Sequence, residues 1–508
     1  MRDKDVAALL DSDASLVVVE APAGCGKTYQ GANFAKRAAS GLSDGRVLIL
    51  THTHAACGVF AKETREQHRK VEIRTIDSLI VQIASAYHKS LGLPPDPYRW
   101  AREHGAGSFE QLGALVARLL SHHPMVSQAL AARYPVVIGD EHQDSSTDQH
   151  AAIMALNAAG AHVRIFGDPM QRIYGGKTQA AVSADRTRWD DLKAAGAFGE
   201  LEKPHRWCDG SRELGSWILE ARQVLKDGGQ IDLTGTLPDG LHIHFAENQA
   251  QQRTGFQLNT AHRAPLDAAI NSRAQILVLT GENALATSLR AFWNRQIPIW
   301  EGHTRDALGD LVTAISSNTD NPAPIAEAVV GFLGNVAVGF SPSSHGNQLV
   351  QEVRDGCTKQ RREKPAHIQD LGRFILDQPN HVGVAKCLHH LAELRDVQTP
   401  GFDKIKIDYR QEYRDAVRLS EFASPEDGLG EINRRRSFAR PMPPAKAIST
   451  VHKAKGLECD HAMIVPCDAS RFSGTYYSRC RLYVALSRAK RSLTLVLSRN
   501  RPTPLFRI

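Results

Sequence analysis

The amino-acid sequence predicts an α/β fold with parallel sheets. Continuous apolar runs rich in β-branched residues, such as residues 17–19 and 46–50, alternate with helical segments such as residues 29–39. Strands of this kind are buried on both faces, which is typical of parallel sheets covered by helices. A further observation is a glycine-rich turn that ends in Gly-Lys-Thr at 26–28, between the first strand and the helix at 29–39.

The turn at 21–28 matches the phosphate-binding pattern G-x-x-x-x-G-K-[ST], with alanine in place of its first glycine. Main-chain N–H groups of such a loop surround nucleotide phosphates, and its glycines allow close approach. Lys27 is expected to reach the β- and γ-phosphates, and the Thr28 hydroxyl to bind Mg²⁺. The alternative is an ordinary strand–turn–helix that matches by chance. The predicted nucleotide-binding residues here are Ala21, Pro22, Ala23, Gly24, Cys25, Gly26, Lys27 and Thr28.

Length and composition predict a multidomain cytoplasmic protein. The 508 residues suffice for about three domains. A formal net charge of +7 is compatible with a nucleic-acid partner but does not establish one. The eight cysteines form no C-x-x-C pair, which favours reduced thiols over a zinc site or a disulfide scaffold. The chain shows neither a signal peptide nor an apolar stretch of membrane-spanning length, so we expect no membrane partner.

Two later strands of the predicted sheet end in polar residues that suit nucleotide chemistry. After a predicted helical insertion at about 85–133, the strand at 134–139 is followed by Asp140 and Glu141. Beside a P-loop, the Asp is expected to hold Mg²⁺ and the Glu to polarise the attacking water. The alternative is a solvated acidic strand end. The strand at 161–166 leads to Gln171, a candidate sensor of the γ-phosphate, although the segment also matches a common Gly-Asp turn.

Seven motifs follow one another along the chain. They are Ala-Gly-Cys-Gly-Lys-Thr at 23–28, Leu-Thr-His-Thr-His-Ala-Ala at 50–56, Asp-Glu-His-Gln-Asp at 140–144, Gly-Asp-Pro-Met-Gln-Arg-Ile-Tyr at 167–174, Pro-His-Arg-Trp at 204–207, Ser-Thr-Val-His-Lys-Ala-Lys-Gly-Leu-Glu at 449–458 and Leu-Tyr-Val-Ala-Leu-Ser-Arg-Ala-Lys at 482–490. In order and identity they resemble the motifs of superfamily 1 helicases of the UvrD/Rep/PcrA type.

The resemblance implies two RecA-like P-loop motor domains with parallel sheets, each carrying a mainly helical insertion, and ATP in the cleft between them. Residues 1–200 are then the first motor domain, and residues 201–316 begin the second. Residues 317–440 form its helical insertion domain, and residues 441–508 complete the second motor domain. A loop is expected at 341–347, and the strands at 462–465 and 493–497 are expected to be the last of the sheet that the chain re-enters at 447–451.

On the nucleotide side, the resemblance implies a hydrolysis set contributed by both motor domains. The implied catalytic residues are Glu141, Gln171, Arg206 and Arg488, with Glu458 at the ribose. An arginine that reaches the γ-phosphate across a cleft stabilises transition-state charge and couples hydrolysis to closure. Taken alone, each arginine is more often a surface charge. The implied cofactors are ATP and Mg²⁺.

On the nucleic-acid side, the resemblance implies contacts to single-stranded DNA. The implied contact residues are Thr51, His52, Thr53, Thr75, Thr450 and His452. His52 replaces the usual phenylalanine; its ring can stack on a base, and the alternative is a helix-capping or solvated histidine. A basic run at 431–455 is interpreted as a surface that follows phosphates, or as a solvated linker.

Four departures from the family predict weak or partner-dependent unwinding. The adenine-reading glutamine upstream of the P-loop is missing, no tryptophan follows Tyr174, Asp77 replaces a phosphate-contacting histidine, and the first insertion is short. Asp77 places a carboxylate where the family's histidine contacts a phosphate, and the two negative charges would repel each other. The loss of one stacked base removes about 1–3 kcal/mol of binding free energy.

The leading hypothesis is an ATP-dependent DNA translocase or helicase, with 3′→5′ polarity implied by the family. Its expected partner is single-stranded or partly duplex DNA. Because the chain ends soon after the last motif, a fused nuclease is not expected, and the size resembles the GajB-type helicases of the Gabija antiphage system, which act with a separate nuclease subunit. The alternative is a DNA- or nucleotide-gated ATPase switch that regulates such a nuclease. An RNA helicase is a third, less favoured reading.

Overall fold

The computed structural model describes residues 1–104, 107–176, 178–252, 255–301, 306–438 and 443–508. The chain divides into two compact units, the first comprising residues 1–288 and 450–508 and the second residues 289–449. The strands are β1 (Leu16–Glu20), β2 (Val47–Thr51), β3 (Val71–Thr75), β4 (Val136–Gly139), β5 (His162–Gly167), β6 (Ala197–Glu200), β7 (Ile231–Asp232), β8 (Leu241–Phe245), β9 (Ile276–Thr280), β10 (Ala337–Val338), β11 (Lys406–Ile407), β12 (Lys446–Thr450), β13 (Cys459–Cys467), β14 (Ala489–Leu497) and β15 (Phe506–Arg507).

The helices alternate with these strands in the first unit and dominate the second. They are α1 (Asp3–Leu10), α2 (Lys27–Gly41), α3 (His54–Glu63), α4 (Ile76–Ala86), α5 (Pro97–Glu103), α6 (Ser108–His122), α7 (Pro124–Arg133), α8 (Thr147–Ala158), α9 (Gln179–Ala195), α10 (Arg212–Lys226), α11 (Thr260–Asn271), α12 (Asn283–Phe292), α13 (Asp306–Ser317), α14 (Pro322–Val336), α15 (Asn347–Arg354), α16 (Glu363–Asp377), α17 (His381–Asp396), α18 (Arg410–Val417), α19 (Pro425–Phe438) and α20 (Tyr476–Leu486).

The first sheet is parallel throughout and has the strand order β3-β2-β4-β5-β1-β6. Strands β1 and β2 are buried along their whole length, as their continuous apolar sequence predicts. Side chains alternate between the two faces: Val18 packs in one apolar core, and Val17 and Val19 pack in the other. The sheet therefore has a hydrophobic core on each face.

The helical segment at 85–133 is part of the first core. Leu112, Val116 and Leu120 of α6 lie in the same apolar cluster as side chains of α4 and α8. The expected helix at 109–120 is confirmed by α6. The segment therefore covers one face of the first sheet, where it packs against α4 and α8.

The second sheet of the first unit contains the parallel strands β9-β13-β14-β8 in that order. Strand β8 and the sixth strand of the first sheet, β6, were not predicted. The strands expected at 462–465 and 493–497 are confirmed as β13 and β14, the last strands of the second sheet along the chain, and Phe506–Arg507 pairs with Ile231–Asp232 in a separate small parallel sheet. The α/β class with parallel sheets is confirmed, and it is consistent with RecA-like P-loop domains that carry helical insertions.

The second unit is mainly helical and has its own buried core. Ile325, Val329 and Leu388 are fully buried in it, and β10 pairs with β11 in antiparallel orientation. The loop expected at 341–347 is instead a π-helical turn over Pro342–Gly346. The predicted insertion at 317–440 lies within this unit, and its exact limits stay a prediction. None of the helices that the structure describes is both long and apolar enough to cross a membrane.

Candidate nucleotide and nucleic-acid site

The glycine-rich turn connects β1 to α2 and requires glycine at two positions. Gly24 and Gly26 have φ values of 76° and 82°, in the left-handed region where a side chain is strained. A Cβ at Gly24 would also lie 2.6 Å from Cβ of Arg206 and 2.7 Å from the Trp207 ring. Gly26 caps the start of α2. The turn is therefore shaped both by its own backbone and by the later segment that packs on it.

Later parts of the first unit hold this turn by hydrogen bonds. The Ala23 N–H donates to the Tyr483 hydroxyl at 2.8 Å, and the Arg206 N–H donates to the Gly24 carbonyl at 3.0 Å. The Trp207 indole N–H donates to the Ala489 carbonyl at 2.7 Å. Residues from the beginning and the end of the chain thus meet at the predicted phosphate loop.

Lys27 at the start of α2 lies against the two carboxylates that follow β4. Its Nζ is 3.3 Å from Oδ1 of Asp140, and it forms an ion pair with Glu141. Burial opposes a charge on Lys27, but the two carboxylates outweigh it and raise its pKa. Burial also raises the pKa of Asp140, whereas the Lys27 and Lys455 ammonium groups hold the pKa of Glu141 below its usual range despite burial. Glu141 is therefore ionised near neutral pH.

The loop after β4 is cross-linked to the loop after β5. Gln143 donates to the Glu141 carboxylate, and its Oε1 accepts from the Asp168 N–H at 3.0 Å. The Gln171 amide donates to Oδ2 of Asp168 at 2.9 Å. Glu141 itself has a left-handed backbone with φ of 53°, a conformation that costs a non-glycine residue about 1–2 kcal/mol. The arrangement brings the predicted hydrolysis residues Glu141 and Gln171 into one connected group.

Lys455 belongs to this group, although the sequence indicated it only as part of a basic run. Its ammonium forms an ion pair with Asp144 and donates to the Gln171 carbonyl at 2.8 Å. The same ammonium lies 4.9 Å from the centre of the Tyr174 ring, a cation–π contact. Its place in the motif at 449–458 was the signal that could have identified it.

The two predicted arginines lie near each other. Arg206 belongs to the short turn His205–Trp207 that packs on Gly24, and Arg488 follows α20. Arg206 donates to the Ser487 carbonyl at 2.7 Å and pairs with Glu458 at 2.8 Å. Arg488 is buried and donates to the carbonyls of Val484 at 2.8 Å and Leu457 at 3.0 Å. Burial and the neighbouring Arg206 lower the pKa of Arg488 to about 10. In this conformation both guanidinium groups are held by main-chain carbonyls.

The chemistry of the site fits Mg²⁺. Asp140 is buried, and its Oδ1 faces the Lys27 ammonium at 3.3 Å, so a cation is already accommodated beside this carboxylate. The described residues hold no cluster of three or more His, Cys, Asp or Glu side chains suited to a metal, so a cation here would also depend on hydroxyl, phosphate and water oxygens. Mg²⁺ commonly takes one or two carboxylates together with phosphates and waters. The Asp140 carboxylate is a ligand of this kind, and Thr28 stays a predicted second ligand.

The threonines predicted to contact DNA have structural partners at the edge of the first sheet. Thr51 is completely buried, and its hydroxyl donates to the Thr53 carbonyl at 3.0 Å. Thr53 and Thr75 follow or end neighbouring strands and accept N–H bonds at 3.2 Å as the N-caps of α3 and α4. Thr450 accepts from the Lys453 N–H at 3.3 Å. As N-caps, Thr53 and Thr75 use their hydroxyls as acceptors, whereas the buried Thr51 hydroxyl bonds within the loop itself.

The two histidines of the predicted DNA set make side-chain hydrogen bonds. His452 Nε2 lies 2.7 Å from the Tyr477 hydroxyl, and His52 Nε2 lies 3.1 Å from the Ser145 hydroxyl. His52 is half-buried and does not cap a helix, because the N-cap of α3 is Thr53. Burial lowers the pKa of His52 even though carboxylates lie nearby.

A buried charge cluster lies directly before the phosphate loop. Arg222 of α10 pairs with Glu20 and lies 3.0 Å from Oδ1 of Asp168, and both carboxylates are completely buried. Lys226 also pairs with Glu20, and the Trp189 indole N–H donates to Glu20 at 3.2 Å. Burial alone would raise the pKa of Glu20, but the two cations lower it. The only sequence signal of this cluster was Glu20, the acidic residue that ends the otherwise apolar β1.

Two families match segments of this chain. Residues 3–201 match a family model described as an AAA domain, and residues 447–496 match one described as a UvrD-like helicase C-terminal domain. The matches support a helicase-type ATPase. They also support the resemblance to UvrD/Rep-like superfamily 1 helicases, and they imply binding of ATP and DNA. The first segment contains Lys27 and Glu141, and the second contains Arg488. No curated protein matches the chain.

Proposed function

We propose that this protein is an ATP-dependent DNA translocase or helicase that moves 3′→5′ on single-stranded DNA and hydrolyses ATP between two RecA-like domains. The observation that carries the proposal is the contact of Lys27 with both Asp140 and Glu141. A loop lysine, a metal-binding Asp and a hydrolytic Glu are the parts that P-loop phosphoryl transfer requires. The polarity rests on the family resemblance.

In the proposed reaction, Glu141 is the general base. The lysine ammonium groups beside it keep Glu141 ionised, and once Lys27 has left, the carboxylate becomes more basic and can orient the attacking water and accept its proton. The ion pair with Lys27 must first be exchanged, because the same ammonium is expected to bind the phosphates. Nucleotide binding would therefore release the Glu141 carboxylate for chemistry. Asp140 and Thr28 would hold Mg²⁺, which supplies neutralisation of phosphate charge when bound.

Gln171, Arg206 and Arg488 are proposed to respond to the γ-phosphate, with Glu458 at the ribose. Arg206 is the better placed of the two arginines, since its main chain bonds to Gly24 of the phosphate loop. Its guanidinium would leave Glu458 and the Ser487 carbonyl to reach phosphate oxygens. Such an exchange of partners couples nucleotide state to the segment at 449–490.

The single-stranded DNA is proposed to lie across one edge of the first sheet. This edge is formed by the loops after β2 and β3 and by residues 450–452. The contact residues of this proposal are Thr53, Thr75 and Thr450, which carry hydroxyls, and His52 and His452, which carry imidazole rings. Contacts of this kind to phosphates position a strand and carry no sequence preference. The basic run at 431–455 stays an interpretation from the sequence, and its residues 439–442 lie outside the described residues.

A second candidate function is an ATPase switch with little unwinding. The observation that favours it is Asp77, which accepts a hydrogen bond from Gln149 at 2.7 Å and places a carboxylate at an expected phosphate contact. That acid would weaken the grip on a strand. A GajB-type antiphage role, a nuclease partner and a cytoplasmic location stay hypotheses that rest on resemblance and composition.

Steady-state ATP hydrolysis with and without single-stranded DNA tests the proposal. The wild type should be stimulated by DNA, and Lys27→Ala should lose hydrolysis in both conditions because the phosphate contact is gone. Lys36→Ala on the same helix is the matched control and should behave as wild type. Hydrolysis that Lys27→Ala retains would overturn the site, and unstimulated hydrolysis by the wild type would overturn the DNA-coupled motor.

A further inference from the structure

Four side chains form a continuous hydrogen-bonded series that connects the loop after β2 to the loop after β4 and then to α8. The series, called here the histidine chain, consists of His52, Ser145, His142 and His150. His52 Nε2 lies 3.1 Å from Ser145 Oγ, which lies 3.4 Å from His142 Nδ1. His142 Nε2 lies 2.9 Å from His150 Nδ1. Ser145 and His142 are 3% and 1% exposed, so water does not compete for these bonds.

The sheet places His52 and His142 of the histidine chain in different functional loops. Strands β2 and β4 are parallel neighbours, so the loops that follow them lie at the same sheet edge. His52 begins the loop after β2, where the DNA strand is proposed to bind. His142 directly follows Glu141, the proposed general base. A phenylalanine at position 52 has no ring nitrogen, so it could not make the first bond of this series.

The loop that carries Glu141 is held in a conformation it would not adopt unaided. The left-handed backbone of Glu141 is disfavoured for a residue with a side chain. On one side the loop is held by Gln143, which bonds to the Asp168 N–H. On the other side it is held by the histidine chain through Ser145 and His142. A displacement of His52 therefore acts on the same short loop that sets the direction of the Glu141 carboxylate.

We propose that Ser145 and His142 are positioning residues that transmit strand binding at His52 to the general base Glu141. This inference rests on the proposed function, because it needs a strand at one end and hydrolysis at the other. Binding at His52 shifts its ring, Ser145 and His142 follow through their hydrogen bonds, and the Glu141 loop moves towards its hydrolytic geometry. Ser145 and His142 act on the stimulation of hydrolysis and contribute neither to strand affinity nor to ATP affinity.

Ser145→Ala is the direct test, with Ser127→Ala as its matched control. Ser127 is also a buried serine whose hydroxyl donates one bond, to the Pro124 carbonyl at 3.0 Å, but it lies on α7. We expect Ser145→Ala to keep the DNA-free rate, the KM for ATP and the DNA affinity of the wild type. The maximal rate with DNA should fall about 2- to 30-fold, the range in which substitutions along a coupling network act. Thermal melting of each variant reports whether it is folded.

His142→Phe provides a second and independent variant. Because it breaks the same series, the double variant Ser145→Ala/His142→Phe should lose no more stimulation than His142→Phe alone. If DNA stimulates hydrolysis by Ser145→Ala as much as by the wild type, the inference is overturned. It is also overturned if Ser145→Ala lowers the hydrolysis rate equally with and without DNA, because that result indicates a purely structural role. Additive losses in the double variant would also overturn it. A wild type that DNA does not stimulate would mark the failure of the proposed function instead.

Discussion

Arg222 offers the sharpest test of how the phosphate loop is supported. Its guanidinium pairs with Glu20 at the end of β1 and with Asp168 at the end of β5, and both carboxylates are completely buried. The surrounding charges raise the pKa of Arg222 although burial opposes its charge. Arg222→Met removes the cation with little change in volume and leaves Asp168 with no ion-pair partner among the described residues. Lys226 still pairs with Glu20.

Breaking a buried ion pair by removing one partner costs about 3–5 kcal/mol. We therefore expect Arg222→Met to lower the free energy of unfolding by that amount and to lower the melting temperature by at least about 5 °C. Tryptophan fluorescence is a suitable probe, because Trp189 donates to Glu20 and Trp207 packs on the phosphate loop. Arg222→Lys keeps the charge but cannot bridge both carboxylates, so its loss should be intermediate.

Arg212→Met is the matched control for this substitution. Arg212 lies at the start of the same helix and is exposed, so its replacement should change the free energy of unfolding by less than about 0.5 kcal/mol. If Arg222→Met cost less than about 1 kcal/mol, the Asp168 carboxylate would have to be protonated or hydrated in the native state, and the account of the cluster would be refuted.

Three further predictions concern the loop and the histidines. Gly24→Ala should weaken binding of a fluorescent ATP analogue at least about tenfold, because its Cβ would lie 2.6 Å from Arg206 Cβ; unchanged affinity would contradict this packing. Tyr483→Phe leaves the Ala23 N–H without its 2.8 Å partner and should cost about 1–3 kcal/mol in thermal unfolding. Burial lowers the pKa of His150 to about 4, so below about pH 6.5 the unfolded state binds more protons than the folded state. The free energy of unfolding should therefore fall by about 1–2 kcal/mol between pH 7 and pH 5. His150→Leu should make the free energy of unfolding less dependent on pH in this range.

The sequence predicts elements whose signal is local. Strands β1 and β2 are continuous apolar runs, and the phosphate loop is specified by glycines at 24 and 26 within a few residues. Strand β8 was missed because His242 and His244 interrupt its apolar pattern, and β6 was missed because it spans only Ala197–Glu200. A short or polar strand depends on its neighbours in the sheet more than on its own residues.

The candidate site was predictable motif by motif, but its connections were not. The spacing of Lys27 and the strand-end carboxylates indicated their shared site, and the contacts of Lys27 agree with it. In contrast, the bond between Ala23 and Tyr483 joins residues 460 positions apart, and Arg222 lies 202 positions from Glu20. These pairs form because α10 and α20 pack against the phosphate loop in the folded first unit. A local sequence pattern carries no information about such distant partners.

ATP-driven displacement of streptavidin from biotinylated single-stranded DNA tests the central claim most directly, because it reads directed movement separately from hydrolysis. With Lys27→Ala as the inactive control, the account predicts that the wild type displaces streptavidin from the 5′ end of the strand and much more slowly from the 3′ end. Displacement only from the 3′ end would contradict the polarity. Hydrolysis without displacement from either end would contradict the motor and favour the switch.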